Sequence, residues 1–345
     1  MWLWLWLWSA LAVADDTRRY TILPLPTLDY APETGLSGGG VVLVTGRPFD
    51  DARQSALEVE GTLTTQGQRI LTTDLQLFLP DNRALLSAAL DVMRFPENFW
   101  GTGSDAPASA VERYTADRVE LALEPLYRPW ASLFVGPSLR AQWVYNLTPE
   151  AGGLLDSGAV AGAAGGRSVG LGYAVVWEGR QRPVTPAARE QYLAVRQQWF
   201  RPGLGSDHRF HRVAVDGRLY LPAGPGLLAL QAYAQLHGGA PPFRMLALLG
   251  GDTIMRGYYT GRYRDQHLVA AQAELRMPLL WRLGAVAFAG AGDVYAPGAL
   301  LSSLKPTAGG GLRLLLDEGE GTNLRIDAAG GQDAFGVYFS FGEAF

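Results

Sequence analysis

The chain has 345 residues, 48% of them hydrophobic and 18% charged, with 43 glycines, no cysteine and a net charge of -4. That balance fits a single sheet whose outside meets lipid better than an ordinary cytosolic enzyme, and 29 basic against 33 acidic residues leave no basic surface for nucleic acid. Without thiols there is neither a disulfide framework nor thiolate chemistry, although the compartment stays open on that ground.

Met1 to Ala14 alternate tryptophan and leucine and end in Ala12-Val13-Ala14 ahead of Asp15-Asp16, an apolar export core with a small-x-small cleavage site. Residues 1–14 are therefore expected to be a signal peptide, although the usual basic n-region is missing. Residues 15–22 are expected to be a short periplasmic segment and 23–345 one membrane domain, because no linker or composition shift interrupts them. No later stretch reaches about eighteen uncharged apolar residues, so no transmembrane helix is predicted.

From about Leu23 onward the chain alternates. Leu57, Val59, Gly61 and Leu63 oppose Glu58, Glu60 and Thr62, and Leu71, Thr73, Leu75 and Leu77 oppose Asp74, Gln76 and Phe78. The pattern returns in Val119, Leu121 and Leu123 against Glu120 and Glu124, then in Leu139, Ala141 and Trp143 against Ser138, Arg140 and Gln142. It continues in Leu193, Val195 and Trp199 against Arg196 and Gln198, and in Leu324 and Ile326 against Asn323, Arg325 and Asp327. A secreted sandwich also alternates, but its polar face meets bulk water. A barrel in lipid must instead pair its charges inside and close its edges, since unpaired backbone groups in hydrocarbon are costly. The fold predicted is all-β: a transmembrane antiparallel β-barrel of about sixteen strands of about 8 to 12 residues. Its longer, outward connections run from Phe95 to Ala110, Asn146 to Gly166, Gly238 to Gln266 and Tyr295 to Ala308. Trp130, Trp143, Tyr145, Trp177, Trp199 and Trp281 fall near strand ends, where amphipathic rings suit the lipid interface.

The loop before the strand at His267 holds Gly250-Gly251-Asp252-Thr253-Ile254-Met255-Arg256-Gly257-Tyr258-Tyr259, and the chain ends on Val337, Phe339, Phe341 and Phe345, all of one parity. Glu274 shares the lumenal parity of Leu268, Ala270 and Gln272. These features, with Gly261-Arg262-Tyr263-Arg264-Asp265, Ala287 to Tyr295 and Asn98-Phe99-Trp100-Gly101-Thr102-Gly103, resemble the BamA/TamA-type outer-membrane family, the bacterial surface antigen barrels. The resemblance implies an inward-folded extracellular loop carrying Met255, Arg256, Gly257 and Tyr258, with Arg256 paired to Glu274 in the lumen. A planar fork suits that carboxylate, and Gly257 lets the backbone approach the wall. Members often carry an aspartate where this chain has Gly290, which leaves Asp293, of the other parity, as the secondary candidate and gives Glu274 more weight.

The resemblance also implies a role in inserting or translocating proteins at the outer membrane, with no cofactor and no metal. Partners would be outer-membrane lipid and lipopolysaccharide, protein substrates, and the barrel assembly machinery, which would read Val337, Phe339, Phe341 and Phe345 as its signal. Glu343 is expected to interrupt that outward row at the periplasmic rim. The short stretch after Ala14 has no room for periplasmic transport-associated domains, so a passive channel or structural barrel is the alternative. The seam between the first strand, softened by Pro24 and Pro26, and the last, Gly336 to Phe345, is expected to open laterally or thin the bilayer.

Enzyme readings are weak. His208, His211, His237 and His267 make no metal-ligand spacing, and Gly38-Gly39-Gly40 and Gly309-Gly310-Gly311 lack the Lys-Ser/Thr of a phosphate loop. Ser206-Asp207-His208, the hydrolase candidate, places three side chains on adjacent residues, where they diverge.

Overall fold

A computed structural model describes residues 20–31, 34–49, 53–180, 188–299, 301, 303–317, 321–332 and 334–345. The signal-peptide reading of Met1 to Ala14 lies outside them. The first half of the wall comprises β1 (Tyr20–Ala31), β2 (Gly35–Gly46), β3 (Ser55–Thr64), β4 (Arg69–Phe78), β5 (Ala84–Phe99), β6 (Glu112–Trp130), β7 (Leu133–Pro149) and β8 (Gly166–Glu178). The second half comprises β9 (Glu190–Phe200), β10 (Phe210–Ala223), β11 (Gly226–Gly239), β14 (His267–Leu280), β15 (Leu283–Tyr295), β16 (Lys305–Asp317), β17 (Thr322–Gly331) and β18 (Ala334–Phe341). Between β11 and β14 two short strands, β12 (Ala247–Leu249) and β13 (Tyr263–Asp265), pair with each other inside the long loop.

The sixteen wall strands form one antiparallel sheet in chain order, each laddered to the next. Hairpins connect sequential strands, so each side chain's parity fixes whether it meets lipid or lumen. Leu71, Val92, Val119 and Trp143 are register neighbours across β4 to β7 and make one outward row, while Glu58 and Asp74 are neighbours on the lumenal side. In the triple-glycine stretch, a Cβ on Gly39 would collide with the Gly61 carbonyl, so this residue permits close strand approach.

The sheet's two ends, β1 and β18, come side by side, but among the described residues no ladder joins them. Among the described residues this is the unladdered seam of the wall, at the two strands expected to form it.

Four sequence expectations are corrected. β1 starts at Tyr20, so the last three residues of the segment expected over 15–22 are already strand. The far wall is taller than expected, with 16, 19 and 17 residues in β5, β6 and β7, because these strands continue past the apolar band into the extracellular region. Helical or strand periodicity cannot reveal three-residue strands, so β12 and β13 were not anticipated. Finally, β18 stops at Phe341: Gly342 adopts φ +72°, a left-handed turn that glycine makes without steric cost, and the tail bends into the lumen.

Much of the lumen is filled. Near the periplasmic end Phe78, Leu85, Leu126, Phe134 and Val176 point inward and pack together, with Phe49 against them, while Phe345 packs on Tyr220 and Leu227. Toward the outside, Phe99, Tyr114, Leu155, Phe243 and Leu246 form a second cluster, in which the long loop meets the wall and the loop between β7 and β8.

Candidate functional site: the loop plug

The loop from 240 to 266 enters the barrel because its apolar residues, Phe243, Met245, Leu249, Met255 and Tyr258, all find burial there. Its tip turns at Met255, φ +58°, and Gly257, φ +105°, which drives Arg256 against the wall. The Arg256 side chain is wholly buried. Its Nη2 lies 2.5 Å from Glu274 Oε2 on β14 and its Nη1 2.5 Å from Asp327 Oδ2 on β17. The guanidinium carbon stands 3.5 Å from the centre of the Phe288 ring on β15, a cation–π stack.

This differs from the expected arrangement. Arg256 does not grip one carboxylate with two parallel bonds; it bridges two carboxylates on different strands. Asp327 thus occupies the secondary place expected of Asp293, and the absence of a carboxylate at Gly290 does not isolate Glu274. Asp293 is engaged elsewhere: its carboxylate accepts from the Ser104 hydroxyl and from the amides of Val294, at 2.9 Å, and Ser303, at 3.2 Å. The parity of Asp327 was visible in the alternation with Arg325, but nothing in the sequence says how close β17 comes to the loop tip.

The rest of the motif binds neighbouring strands. The Arg256 carbonyl accepts from Thr307 Oγ1 on β16, and the Gly257 amide donates to Tyr338 Oη on β18 at 2.9 Å. Tyr258 Oη donates to the Pro306 carbonyl and accepts from the Gln332 amide, both at 2.7 Å. Glycines make room: a Cβ on Gly311 would collide with Asp327, and one on Gly331 with the Tyr258 ring. Three consecutive residues therefore tie the plug to β14 through β18, including the seam strand itself.

Charge compensation extends outward. Arg276 Nε lies 2.8 Å from Glu274, Arg313 lies 2.6 Å from Asp327 and 2.7 Å from Glu343, and Arg325 lies 2.9 Å from Asp252. Arg256, Arg276, Arg313 and Arg325 thus meet Glu274, Asp327, Glu343 and the half-exposed Asp252, so positive and negative charges balance across the cluster.

A second anchor, with no counterpart among the sequence expectations, lies on β5. Glu97 on β5 holds Arg244 at 3.0 Å and Arg264 at 3.1 Å, both from the long loop, and Arg244 also bonds the Tyr114 hydroxyl. Burial alone would lower the Arg244 pKa, but Tyr114 and Glu97 more than offset it and leave the guanidinium above its ordinary value. Arg262 stacks over Trp100, and Gly103 bridges to Arg264, so the loop between β5 and β6 covers the plug. The inward parity of Glu97 was legible; its distant loop partners, 147 and 167 residues away, were not.

With its tip fixed on β14–β18 and its root on β5, the loop spans the lumen. Gly257→Val is expected to displace the tip, because φ +105° is strained for a side chain and the added Cβ would lie 3.1 Å from the Ala329 carbonyl. The check is denaturant unfolding: a midpoint equal to wild type would show that the tip tolerates the change.

The C-terminal residues divide. Val337, Phe339 and Phe341 alternate with lumenal Tyr338, and Phe335, 65% exposed, extends their row. Phe345 leaves that row for the lumen, where its carbonyl accepts from Arg276 at 2.8 Å. Glu343 likewise faces Arg313 and Asn323, so it does not interrupt an outward row.

Ser206 Oγ donates to the His208 carbonyl at 2.8 Å, and Asp207 accepts from the Arg167 amide at 2.7 Å. That amide, then the Arg167 guanidinium, hold the Asp207 carboxyl below its usual range. The three residues do not converge on a nucleophile and base. Among the described residues no group of three or more His, Asp or Glu is placed to hold a metal ion.

A family model for the Omp85 superfamily domain matches residues 165–345, more than half of the chain and the half that carries the loop motif and its wall. The chain belongs to the Omp85 superfamily. Solved Omp85-like barrels have the same fold. BamA from Haemophilus ducreyi lacking POTRA domains 1–3 aligns at 14% identity and TM-score 0.57, covering 94% of this chain and 69% of that one. CdiB from Acinetobacter baumannii aligns at 12% identity and TM-score 0.61, covering 94% and 60%. CdiB from Escherichia coli aligns at 13% and 0.59, covering 95% and 63%. The Omp85 chain described here spans 60% to 69% of the length of these structures. No curated protein sequence matches it.

Proposed function

We propose that this Omp85 barrel resides in the outer membrane and assists insertion or translocation of proteins there. The observation that carries the reading is the seam: among the described residues every other pair of neighbouring wall strands is laddered, and β1 and β18 are not. A sheet edge that is not laddered to its neighbour is a template for an incoming strand. β18 has 8 residues, about 27 Å along the strand and about 21 Å across the membrane at a 40° tilt, less than an apolar band about 25 Å tall. Lipid beside the seam must thin to match it. Pro24 and Pro26 remove two ladder donors from β1, which suits an edge strand.

Lumenal packing favours this reading over a passive channel, because the long loop, the apolar periplasmic cluster and the C-terminal tail occupy the interior. A chamber of about 400 Å3 remains between plug and seam, lined by Thr27, Glu60, Asp252, Tyr338 and Ser340. Partners on this reading are unfolded barrel clients and the lipids of the outer membrane, lipopolysaccharide included. The assembly machinery would accept the chain through Val337, Phe339 and Phe341, with Phe345 available before folding. The chain is expected to begin as a precursor with a leader over residues 1–14 ahead of the barrel.

Reconstitution into liposomes tests the proposal. Accelerated insertion of a urea-denatured barrel client is the expected result. Steady single-channel conductance with client insertion at the rate of empty liposomes would establish the channel reading instead.

A further inference from the structure

The outer face of the wall along β4 to β7 is mostly apolar up to the row of Leu71, above which it changes character. The row of Leu71, Val92, Val119 and Trp143 is followed, two residues toward the outside, by Arg69, Arg94, Asp117 and Tyr145 in register. Arg69 and Arg94 stand directly opposite each other, a like-charged pair that destabilises a sheet unless something neutralises it. The protein supplies little. Asp117 is 3.7 Å from Arg94, beyond hydrogen-bond length, and already accepts from Asn146 Nδ2 at 2.7 Å. The Arg69 side chain makes no hydrogen bond or ion pair with any described residue.

A third guanidinium joins them. Arg113 lies on β6 above Asp117, and its Nη2 donates to Gln66 Oε1 in the turn just before Arg69, at 3.0 Å. Glu150 nearby accepts from the Arg113 amide, at 2.9 Å.

Depth identifies the counterion. On β6, Tyr127 is a 60% exposed ring at the periplasmic end, and Asp117 is ten residues away on the same face. Ten residues rise about 34 Å along a strand and about 26 Å along the membrane normal at a 40° tilt, which matches an apolar band about 25 Å tall. The arginine row therefore lies at the outer headgroup layer, with Leu71 and Val92 below it at acyl-chain depth. Directly opposed arginines on neighbouring strands place two guanidinium groups within reach of one phosphate, whose oxygens suit their planar donor forks.

We propose that Arg69 and Arg94, with Arg113 above them, bind a phosphate group of an outer-leaflet glycolipid whose acyl chains lie on Leu71 and Val92. The site rests on the chain lying in the outer membrane and is independent of whether the barrel inserts clients.

The test measures retention of a bisphosphorylated acylated disaccharide lipid by the detergent-purified barrel, using native mass spectrometry and titration. The R69Q/R94Q double variant should bind this lipid about ten-fold or more weakly, as loss of charge-assisted hydrogen bonds requires. Wild type should lose the same preference for the enzymatically dephosphorylated lipid. R69Q alone removes a side chain without a protein partner, so it reports binding even if the double variant misfolds. R128Q, at the periplasmic end of β6, should bind as wild type does. Equal affinity of R69Q and wild type, or equal affinity for phosphorylated and dephosphorylated lipid, would overturn the proposal. So would displacement of the lipid by equimolar inorganic phosphate, which would make the ligand a free anion.

Discussion

Disulfides engineered across the seam are expected to abolish client insertion in liposomes, reducing it to the rate of empty vesicles, while the barrel stays folded. The chain has no native cysteine, so a pair placed between Ile22–Thr27 on β1 and Val337–Phe341 on β18 yields a single defined bond. Pairs with Cα atoms about 4.4 to 6.8 Å apart will close. Reductant should restore insertion fully. A matched control links Leu230 on β11 to Ala273 on β14, neighbours already held by a ladder, and should change nothing. Insertion at full speed by the oxidised seam variant would remove the seam from the mechanism.

Replacing Arg256 by alanine is expected to be the most damaging single change in the plug. It deletes the bridge between Glu274 and Asp327 and the stack on Phe288 together. Removing one partner of a buried ion pair costs about 3 to 5 kcal/mol, and here the lower end applies because Arg276 and Arg313 still compensate the two carboxylates. Glu274→Ala should cost less, since Arg256 keeps Asp327. Arg256→Lys retains charge but loses the planar fork that reaches two strands, so it should fall between them. In a cycle with Glu274→Ala the losses should be non-additive by about 1 kcal/mol or more. Denaturant midpoints give the stabilities, and single-channel conductance, expected to rise in Arg256→Ala, reports release of the plug. Additive losses with unchanged conductance would mean that Arg256 does not fasten the loop.

Much of the architecture could be read from alternation, because parity in a barrel wall is a local property: Leu57 and Glu58 declare their faces without reference to any other strand. The lumenal placing of Glu274 followed in the same way. What escaped depends on approach between remote segments. Asp327 and Glu97 had the right parity, yet only the folded loop brings Arg256 to the first and Arg244 and Arg264 to the second. The tail misled for a different reason. Val337, Phe339, Phe341, Glu343 and Phe345 keep one parity in sequence, but a single left-handed glycine at 342 resets it, and such a turn has no periodic signature.

That reset has a consequence for timing. A receptor that recognises the terminal phenylalanine must do so while the tail is extended, because in the finished barrel Phe345 is 6% exposed and its carbonyl is bound by Arg276. If such a receptor reads Phe345, folding withdraws the residue from it, and release of the completed protein would be a by-product of closure.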